Sequence, residues 1–246
     1  WIPPELREDN GEIEAAESGT LPVLVEACDL RGDLHNHTTW SDGNQSVEAM
    51  ARHAASLGWE YIAITDHSKR LTVANGLDEE RLALQLEEID RVNTLGLGVR
   101  VLSGSEVDIL EDGSLDLPAS ILSKLDVVII AVHSRFKLSR EKQTDRLLNA
   151  IDHPHVSFLA HPTGRLLLER EPYEVDLDKV LEHIRQRGCG VELNAHPLRL
   201  DLNDQYCRKA KELGIPVVIS NDAHSLADFS HHQHGILQAR RGWLEK

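Results

Sequence analysis

Residues 126–133 read Asp-Val-Val-Ile-Ile-Ala-Val-His, and this stretch decides the fold class. Six consecutive apolar residues, most of them β-branched, are typical of a strand buried on both faces, as in a parallel sheet covered by helices. The run stops at His133 and is far too short to cross a membrane. The same unit, a buried strand followed at once by a polar side chain, recurs along the chain.

Apolar strand-like runs alternate with helix-like stretches over most of the sequence. The other strand-like runs are Gly32–His35, Tyr61–Thr65, Val99–Ser103, Val156–Ala160, Gly190–Asn194 and Pro216–Ser220. The helix-like stretches are Ser46–Leu57, Asp78–Asn93, Arg140–Ile151, Asp176–Arg187 and Asn203–Leu213. Seven such units predict an α/β fold, a TIM-like parallel barrel related to the (β/α)8 type but one unit short. A doubly wound open sheet is the alternative, and the absence of a GxGxxG or P-loop motif after the first strand disfavours it.

Histidines and carboxylates follow the predicted strands. In a parallel barrel, the C-terminal ends of the strands and the loops after them build the active site. The residues at these positions are, strand by strand, His35, His37 and Asp42; Asp66 and His67; Glu106; His133; His161; Glu192 and Asn194; and Asp222 and His224. Imidazole and carboxylate are side chains that divalent metals accept as ligands. Any one of them alone could cap a helix or brace a turn, but their common register with the strands favours a shared site. We therefore predict a multinuclear metal centre at the C-terminal ends of the strands.

Other polar residues near the same strand ends are candidates for catalytic roles. Arg165 and Arg135 could contact phosphate oxygens, and the alternative for each is a surface ion pair. Asn194 is a weaker candidate, and Glu192 is expected to orient a ligand imidazole or a water molecule. The histidine tract at positions 231, 232 and 234 lies beyond the last strand and is expected to be solvated.

The composition bears on location and partners. Three cysteines without a CxxC pair favour a reducing cytoplasm. The formal net charge of −15 argues against a stand-alone DNA clamp, because counterion release requires clustered Lys and Arg. Bound cations or an attached basic domain would offset this charge.

The chain starts at Trp1 rather than Met, which suggests a piece of a longer protein. Residues 1–30 are interpreted as an arm or linker and residues 31–246 as the catalytic domain.

Seven motifs of the chain resemble those of the polymerase and histidinol phosphatase (PHP) superfamily: DLHNHTTWSDG, ITDHS, GSEVDI, VHS, AHPTGR, VELNAHP and SNDAH. Three further stretches are similar to the C-terminal PHP domain of bacterial family X DNA polymerases: IPPELREDNGEIEAA, HPTGRLLLEREPY and ARRGWL. The resemblance covers almost the whole chain and implies a distorted (β/α)7 barrel with three metal ions. The sites that it implies are His35, His37, Glu106 and Asp222; Asp42, His67 and His224; and His133 and His161, with Glu106 bridging from the first.

The resemblance also implies a 3′–5′ DNA exonuclease, best with Mn²⁺, that is attached to a polymerase core and is related to enzymes acting on abasic sites and blocked 3′ ends. No serine or cysteine nucleophile is required, because clustered divalent metals can activate water. Mn²⁺, Zn²⁺ and Fe²⁺ all suit the ligand set. Three other functions stay open: a small-molecule phosphatase of the histidinol-phosphate or nucleotide type, a non-catalytic module that supports a polymerase, and a metal-dependent amidohydrolase. The last ranks lowest, because Glu106 takes the place of the modified lysine that such enzymes often use.

Overall fold

The computed structural model describes residues 1–246 and contains one sheet of seven parallel strands. In chain order, strands β1 to β7 are Gly32–Asp33, Tyr61–Ile64, Arg100–Asp108, Val127–Ala131, Phe158–Leu159, Gly190–Asn194 and Val217–Ser220. Each strand pairs with the next one along the chain. A parallel bridge between Asn36 and Ala223 joins the segments that follow β1 and β7. The sheet is therefore a nearly closed, distorted (β/α)7 barrel, as predicted, and not a doubly wound open sheet.

Helices cover the outside of the barrel. In chain order, helices α1 to α8 are Glu12–Ser18, Val47–Ser56, Glu79–Asn93, Ala119–Leu122, Arg140–Ile151, Leu177–Arg187, Asp204–Glu212 and His232–Arg241. Five of them begin after a residue whose side chain accepts a backbone hydrogen bond from the first turn: Ser46, Asp78, Ser139, Asp176 and Asn203. Such caps satisfy N–H groups that the helix itself leaves free. The five predicted helices are confirmed, whereas α1, α4 and α8 were not predicted. None of the helices combines the length and apolarity that a membrane crossing needs.

Strand β4 shows how the barrel directs side chains towards its mouth. Val128 and Ile130 pack in the main hydrophobic core with the surrounding helices. Val127 and Ile129 pack in a separate cluster with side chains of β2 and β5. Because successive residues of a strand point to opposite faces, His133 continues the row of Val127 and Ile129. An apolar layer inside the barrel therefore lies beneath a polar layer at the C-terminal ends of the strands.

Strand β3 is longer than the sequence predicted. We expected it to end at Ser103, with Glu106 beyond it, but the strand continues to Asp108. Its first half pairs with β2 and its second half with β4. The change of partner falls at Gly104, where an added Cβ would lie 2.8 Å from the carbonyl oxygen of Val127. Glycine next to serine is a turn signal in sequence, but here it permits close approach of two strands.

Residues 1–30 pack against the barrel. Leu6 is completely buried, and Glu5 forms an ion pair of 2.6 Å with Arg240 of α8. The backbone N–H of Val25 donates to the carbonyl of Leu244. The segment is thus an arm held on the barrel rather than a free linker, and its partners lie up to 235 residues away in the chain, where no local pattern reveals them. The boundary between an arm and a catalytic domain at residue 31 stays a prediction.

The C-terminal histidine tract is largely covered, which contradicts the expectation that it is solvated. The side chain of His231 is only 17% exposed, and the ring of His232 packs edge-on against Trp59 at 6.0 Å. Only His234 is exposed. The reason is helix α8, which folds back so closely that a Cβ on Gly235 would lie 2.7 Å from the side chain of Ala195.

Candidate metal centre

The structure brings all nine predicted ligands together at one end of the barrel. Three groups have ligand atoms within 4.8 Å of one another: first, His35, His37 and Asp222; second, His37, Asp42, His67 and His224; and third, His67, Glu106 and His133. His161 joins them through its Nε2, which lies 2.8 Å from Oε1 of Glu106. These side chains come from the ends of six different strands, so only the tertiary fold can assemble them. The convergence predicted from the sequence is therefore present.

The first group surrounds a point between the ends of β1 and β7. Oδ1 of Asp222 lies 3.5 Å from Nε2 of His35 and 3.2 Å from Nε2 of His37. Oε2 of Glu106 lies 3.5 and 3.6 Å from the same two nitrogens. Ligand atoms about 2.0–2.1 Å from one tetrahedral cation are separated by about 3.3–3.4 Å. These four atoms therefore have the spacing of a coordination shell around a single divalent ion.

Glu106 lies at the middle of the cluster, and its two oxygens face different groups of histidines. Oε1 lies 2.8 Å from Nε2 of His161 and 3.2 Å from Nε2 of His133. Oε2 faces the first group and also lies 2.8 Å from Nδ1 of His67. The carboxylate is almost completely buried. This arrangement suits a carboxylate that bridges two ions.

The second group forms the open side of the cluster. Oδ1 of Asp42 lies 3.4 Å from Nε2 of His224, and Oδ2 lies 3.6 Å from Nε2 of His67. The side chains of Asp42 and His224 are 35% and 33% exposed, whereas those of His35 and His37 are fully buried. A substrate therefore reaches the cluster past Asp42 and His224.

Several buried atoms of the cluster have no hydrogen-bond partner. They are Nε2 of His35, both ring nitrogens of His37, Nδ1 of His67 and Oε2 of Glu106. Buried polar atoms in folded proteins are nearly always satisfied, and each one left alone costs about 1–3 kcal/mol. Imidazole and carboxylate together accept Zn²⁺, Mn²⁺ or Fe²⁺. The residues present therefore fit divalent metal ions.

The charged groups of the cluster shift one another's pKa values. Burial opposes the positive charge of His67, but Glu106 and Asp42 outweigh it and raise the pKa of His67 to about 10. Burial also opposes the charge of His224, and Asp42 and Asp222 raise its pKa to about 9. Burial, together with neighbouring imidazoles, lowers the pKa of His37 to about 3. Without metal, protons on His67 and His224 thus balance the carboxylates, and metal binding must release these protons.

We expect removal of divalent metal to lower the melting temperature by about 5–10 °C or more. A ligand that binds only the folded state, at 100 times its dissociation constant, stabilises that state by about 2.7 kcal/mol. In a domain of this size 1 kcal/mol corresponds to about 2–4 °C. The measurement is thermal unfolding followed by circular dichroism before and after chelation, with Mn²⁺ added back as the control. Equal melting temperatures for metal-loaded and verified metal-free protein would contradict metal ligation at this cluster.

Glu192 and Asn194 contact ligands from the side away from the solvent. Oε1 of Glu192 accepts a hydrogen bond of 2.7 Å from Nδ1 of His35, and Oε2 accepts the backbone N–H of His161 at 2.5 Å. Nδ2 of Asn194 donates to Oδ2 of Asp222 at 3.1 Å. Partners of this kind fix the orientation of metal ligands. Both residues are completely buried, and their catalytic roles stay predictions.

The two predicted phosphate-binding arginines are engaged elsewhere. Arg165 donates from Nε to the carbonyl of residue 199, at 2.8 Å, and from Nη2 to the carbonyl of residue 200. Arg135 is 64% exposed and forms an ion pair of 3.0 Å with Glu111. The structure thus gives Arg135 the surface ion pair that was the alternative interpretation. A phosphate contact by either arginine stays a prediction.

Three residues that the sequence analysis missed contact the cluster. Nε of Arg199 lies 3.2 Å from Oδ2 of Asp222, and its side chain is 19% exposed. Oδ1 of Asp108 lies 3.1 Å from Nδ1 of His133 and fixes that ring. Asp33 accepts backbone hydrogen bonds from the segments after both β1 and β7. Asp33 and Asp108 lie within the motifs DLHNHTTWSDG and GSEVDI, which could have pointed to them, whereas Arg199 has no signal beyond proximity to a strand end.

The fold and the site together define a class of protein. A parallel barrel with a cluster of imidazoles and carboxylates at the C-terminal ends of its strands is the arrangement of a metal-dependent hydrolase. The model of the PHP domain matches residues 33–196, which include seven of the nine clustered residues, all except Asp222 and His224. The chain belongs to the PHP family of metal-dependent phosphoesterases.

Relatives of this chain carry two kinds of name. It is 43% identical over 244 residues to the DNA polymerase/3′-5′ exonuclease PolX of Bacillus subtilis, a match that covers 99% of this chain and 42% of that protein. The chain therefore spans less than half the length of this relative. It is 32% identical to the probable phosphatase Teth514_1060 of Thermoanaerobacter, with 83% of each chain covered. The structure of histidinol phosphate phosphatase from Lactococcus lactis, complexed with zinc, L-histidinol and phosphate, shares the fold, with a TM-score of 0.61 and 15% identity over 86% of this chain and 93% of that chain.

Proposed function

We propose that this chain hydrolyses phosphodiesters as a 3′–5′ DNA exonuclease, with abasic-site and 3′-end processing as related activities. The observation that carries the proposal is the 43% identity to a polymerase/exonuclease over 99% of the chain, the arm of residues 1–30 included. The probable phosphatase of Thermoanaerobacter matches over a shorter stretch, 216 residues, and at 32% identity. Because the chain spans 42% of that relative, a covalently attached polymerase core is the proposed partner. Such a core would also supply the basic surface that this acidic chain lacks.

We propose three divalent ions, Mn²⁺ or Zn²⁺ or both, with Fe²⁺ as a further candidate, held by the nine clustered residues. When bound, these ions would provide an activated water at neutral pH and neutralise charge on the phosphoryl oxygens. Glu192 and Asp108 hold the rings of His35 and His133 in place for this purpose.

Arg199 is the candidate for contact with the substrate phosphate. Its Nε lies 3.2 Å from Oδ2 of Asp222, and neither of its Nη groups forms a hydrogen bond or an ion pair. A guanidinium in this position can present two parallel donors to phosphate oxygens beside the ions. Arg165 keeps Nη1 free and supports the same loop through the carbonyls of residues 199 and 200.

A small-molecule phosphatase is the second candidate function. It is favoured by the burial of most of the cluster, where only Asp42 and His224 are about one-third exposed, and by the name of the relative that matches over 83% of its length. The acidic charge of the chain suits a small substrate better than DNA. A non-catalytic supporting module is disfavoured, because no residue of the ligand set has been lost.

The test compares three substrates on the same metal-loaded protein: p-nitrophenyl phosphate, bis(p-nitrophenyl) phosphate and a 5′-labelled single-stranded oligonucleotide. An exonuclease should degrade the oligonucleotide stepwise from its 3′ end, with kcat/KM at least about tenfold above that for the monoester, because remote parts of the substrate add binding energy. Monoester turnover without any shortening of the oligonucleotide would establish the phosphatase instead. Chelated protein is the control for contaminating nucleases that need no metal.

A further inference from the structure

A tight turn after β5 stands at the mouth of the barrel. Within it, the backbone of Leu166 donates to the carbonyl of Arg170 at 2.9 Å, and Arg170 donates back to Leu166 at 2.7 Å. Two further hydrogen bonds fix the turn: Nε of Arg170 to the carbonyl of Gly164, and the N–H of Leu167 to the carbonyl of Leu198 in the loop after β6. The turn is therefore a well-defined projection rather than a loose loop.

Leu168 lies at the tip of this turn, with an unfavourable backbone conformation and an exposed apolar side chain. Its side chain is fully exposed, and its backbone has a φ of 66°, in the left-handed region. This conformation is unfavourable for a branched apolar residue, whereas glycine or asparagine adopts it readily. Exposure of the apolar side chain to water adds a second cost. A residue that is unfavourable on both counts suggests that its side chain is used in binding.

The turn carries two arginines, Arg165 and Arg170, and two exposed glutamates, Glu169 and Glu171. Arg165 and Arg170 form no ion pair, and their guanidinium groups bond to backbone carbonyls instead. Arg199, in the adjoining loop, has only the clustered Asp222 as its acidic partner. Two contacts, from Arg165 to the backbone of Arg199 and from Arg199 to Asp222, connect the base of the turn to the metal centre. An anionic strand that runs from the centre over this loop would therefore pass guanidinium groups that no carboxylate neutralises by an ion pair.

We propose that Leu168 packs against a nucleobase of a DNA strand whose scissile phosphate lies at the metal centre, while Arg165 and Arg170 face the backbone phosphates of that strand. This inference rests on the proposed exonuclease function. Faces of nucleobases are apolar, and leucine is among the residues that proteins press against them. Arginine contacts to phosphates position a strand without reading its sequence. A small phosphate monoester carries no second nucleotide that could contact Leu168, so this contact would favour polynucleotides.

The test is a two-by-two comparison of variant and substrate. Leu168→Asn removes the apolar side chain but keeps a residue that tolerates the left-handed conformation. One oligonucleotide carries normal 3′-terminal nucleotides, and the other ends in two base-free tetrahydrofuran nucleotides with the same phosphates. We expect the original chain to prefer the normal end by about fivefold to tenfold in kcat/KM, and Leu168→Asn to lose this preference. The melting temperature of Leu168→Asn should not fall, which separates this effect from misfolding.

Leu57→Asn is the matched control, because Leu57 is also exposed but lies at the C-terminal end of α2, away from the mouth. It should keep the preference for the normal end. If Leu168→Asn lowers kcat/KM equally for both oligonucleotides, or lowers neither, the inference about the base is wrong while the exonuclease function stands. If the original chain cleaves neither oligonucleotide, the proposed function itself fails, and the inference fails with it.

Discussion

Glu106→Gln is expected to reduce phosphoester hydrolysis on the order of 1000-fold or more and to lower the content of bound metal. Residues that only orient metal ligands typically contribute about 10–100-fold, and Glu106 lies closer to the chemistry than any of these. Its two oxygens face five imidazoles at distances from 2.8 to 3.6 Å. Glutamine has the same size but no charge, and its amide nitrogen cannot coordinate a cation. The measurement is kcat/KM on the best substrate together with metal analysis of the purified protein.

The control for this variant is Glu111→Gln, which makes the same chemical change a few residues further on. Glu111 is 58% exposed and pairs only with Arg135. Its substitution should leave activity and metal content unchanged. We expect His35→Ala and Asp222→Ala to share the loss seen with Glu106→Gln, with the fold retained by circular dichroism. Full activity and full metal content in Glu106→Gln would remove the metal centre as the source of catalysis.

Arg146→Met is expected to destabilise the chain by about 3 kcal/mol. Arg146 belongs to α5 and is 1% exposed, yet it forms no ion pair. Its guanidinium donates instead to the carbonyls of Leu110 and Ser134, at 2.8 and 2.9 Å, and to that of Ile109. Methionine would leave the carbonyls of Ile109 and Ser134 without donors, at about 1–3 kcal/mol each, whereas the carbonyl of Leu110 keeps the N–H of Gly113. Relief from burying the charge offsets part of this cost.

Urea denaturation followed by circular dichroism measures this effect. The matched control is Arg185→Met on α6, because Arg185 is 48% exposed and its ion pair with Glu182 is a surface pair. Such pairs contribute about 0–1 kcal/mol, so this variant should be close to the original chain in stability. A loss below about 1 kcal/mol in Arg146→Met would mean that water or local rearrangement satisfies the carbonyls of Ile109 and Ser134.

The ligand positions could be predicted because each depends on local sequence. Strands are recognisable as apolar runs, and residues two apart on a strand share a face. His133 after β4, and Asp222 after β7, therefore had to emerge at the same end of a parallel barrel. The resemblance to a known family then grouped these residues into sites. The distances from Glu106 to His35, His133 and His161 fit that grouping, whereas the distance of 2.8 Å from Glu106 to His67 joins two of the implied sites.

The remaining contacts could not be predicted because their partners are distant in the chain. Arg199 resembles any exposed arginine until the fold places it beside Asp222. The acidic residues of the arm look like those of a linker until Glu5 meets Arg240. Gly104 is a third case: the strand was expected to end at Ser103, but in the fold Gly104 permits close packing of two strands and β3 continues. Tertiary context decides all three cases, and periodicity does not report on it.

The metal centre also bears on how the barrel closes at its seam, the junction between the segments that follow β1 and β7. The segments after β1 and β7 join through a single bridge between Asn36 and Ala223, yet they carry five of the nine clustered residues: His35, His37, Asp42, Asp222 and His224. Ions held between these two segments would help to hold this seam of the barrel together. Strand β7, the last of the seven in chain order, would then complete both the wall of the barrel and the metal centre.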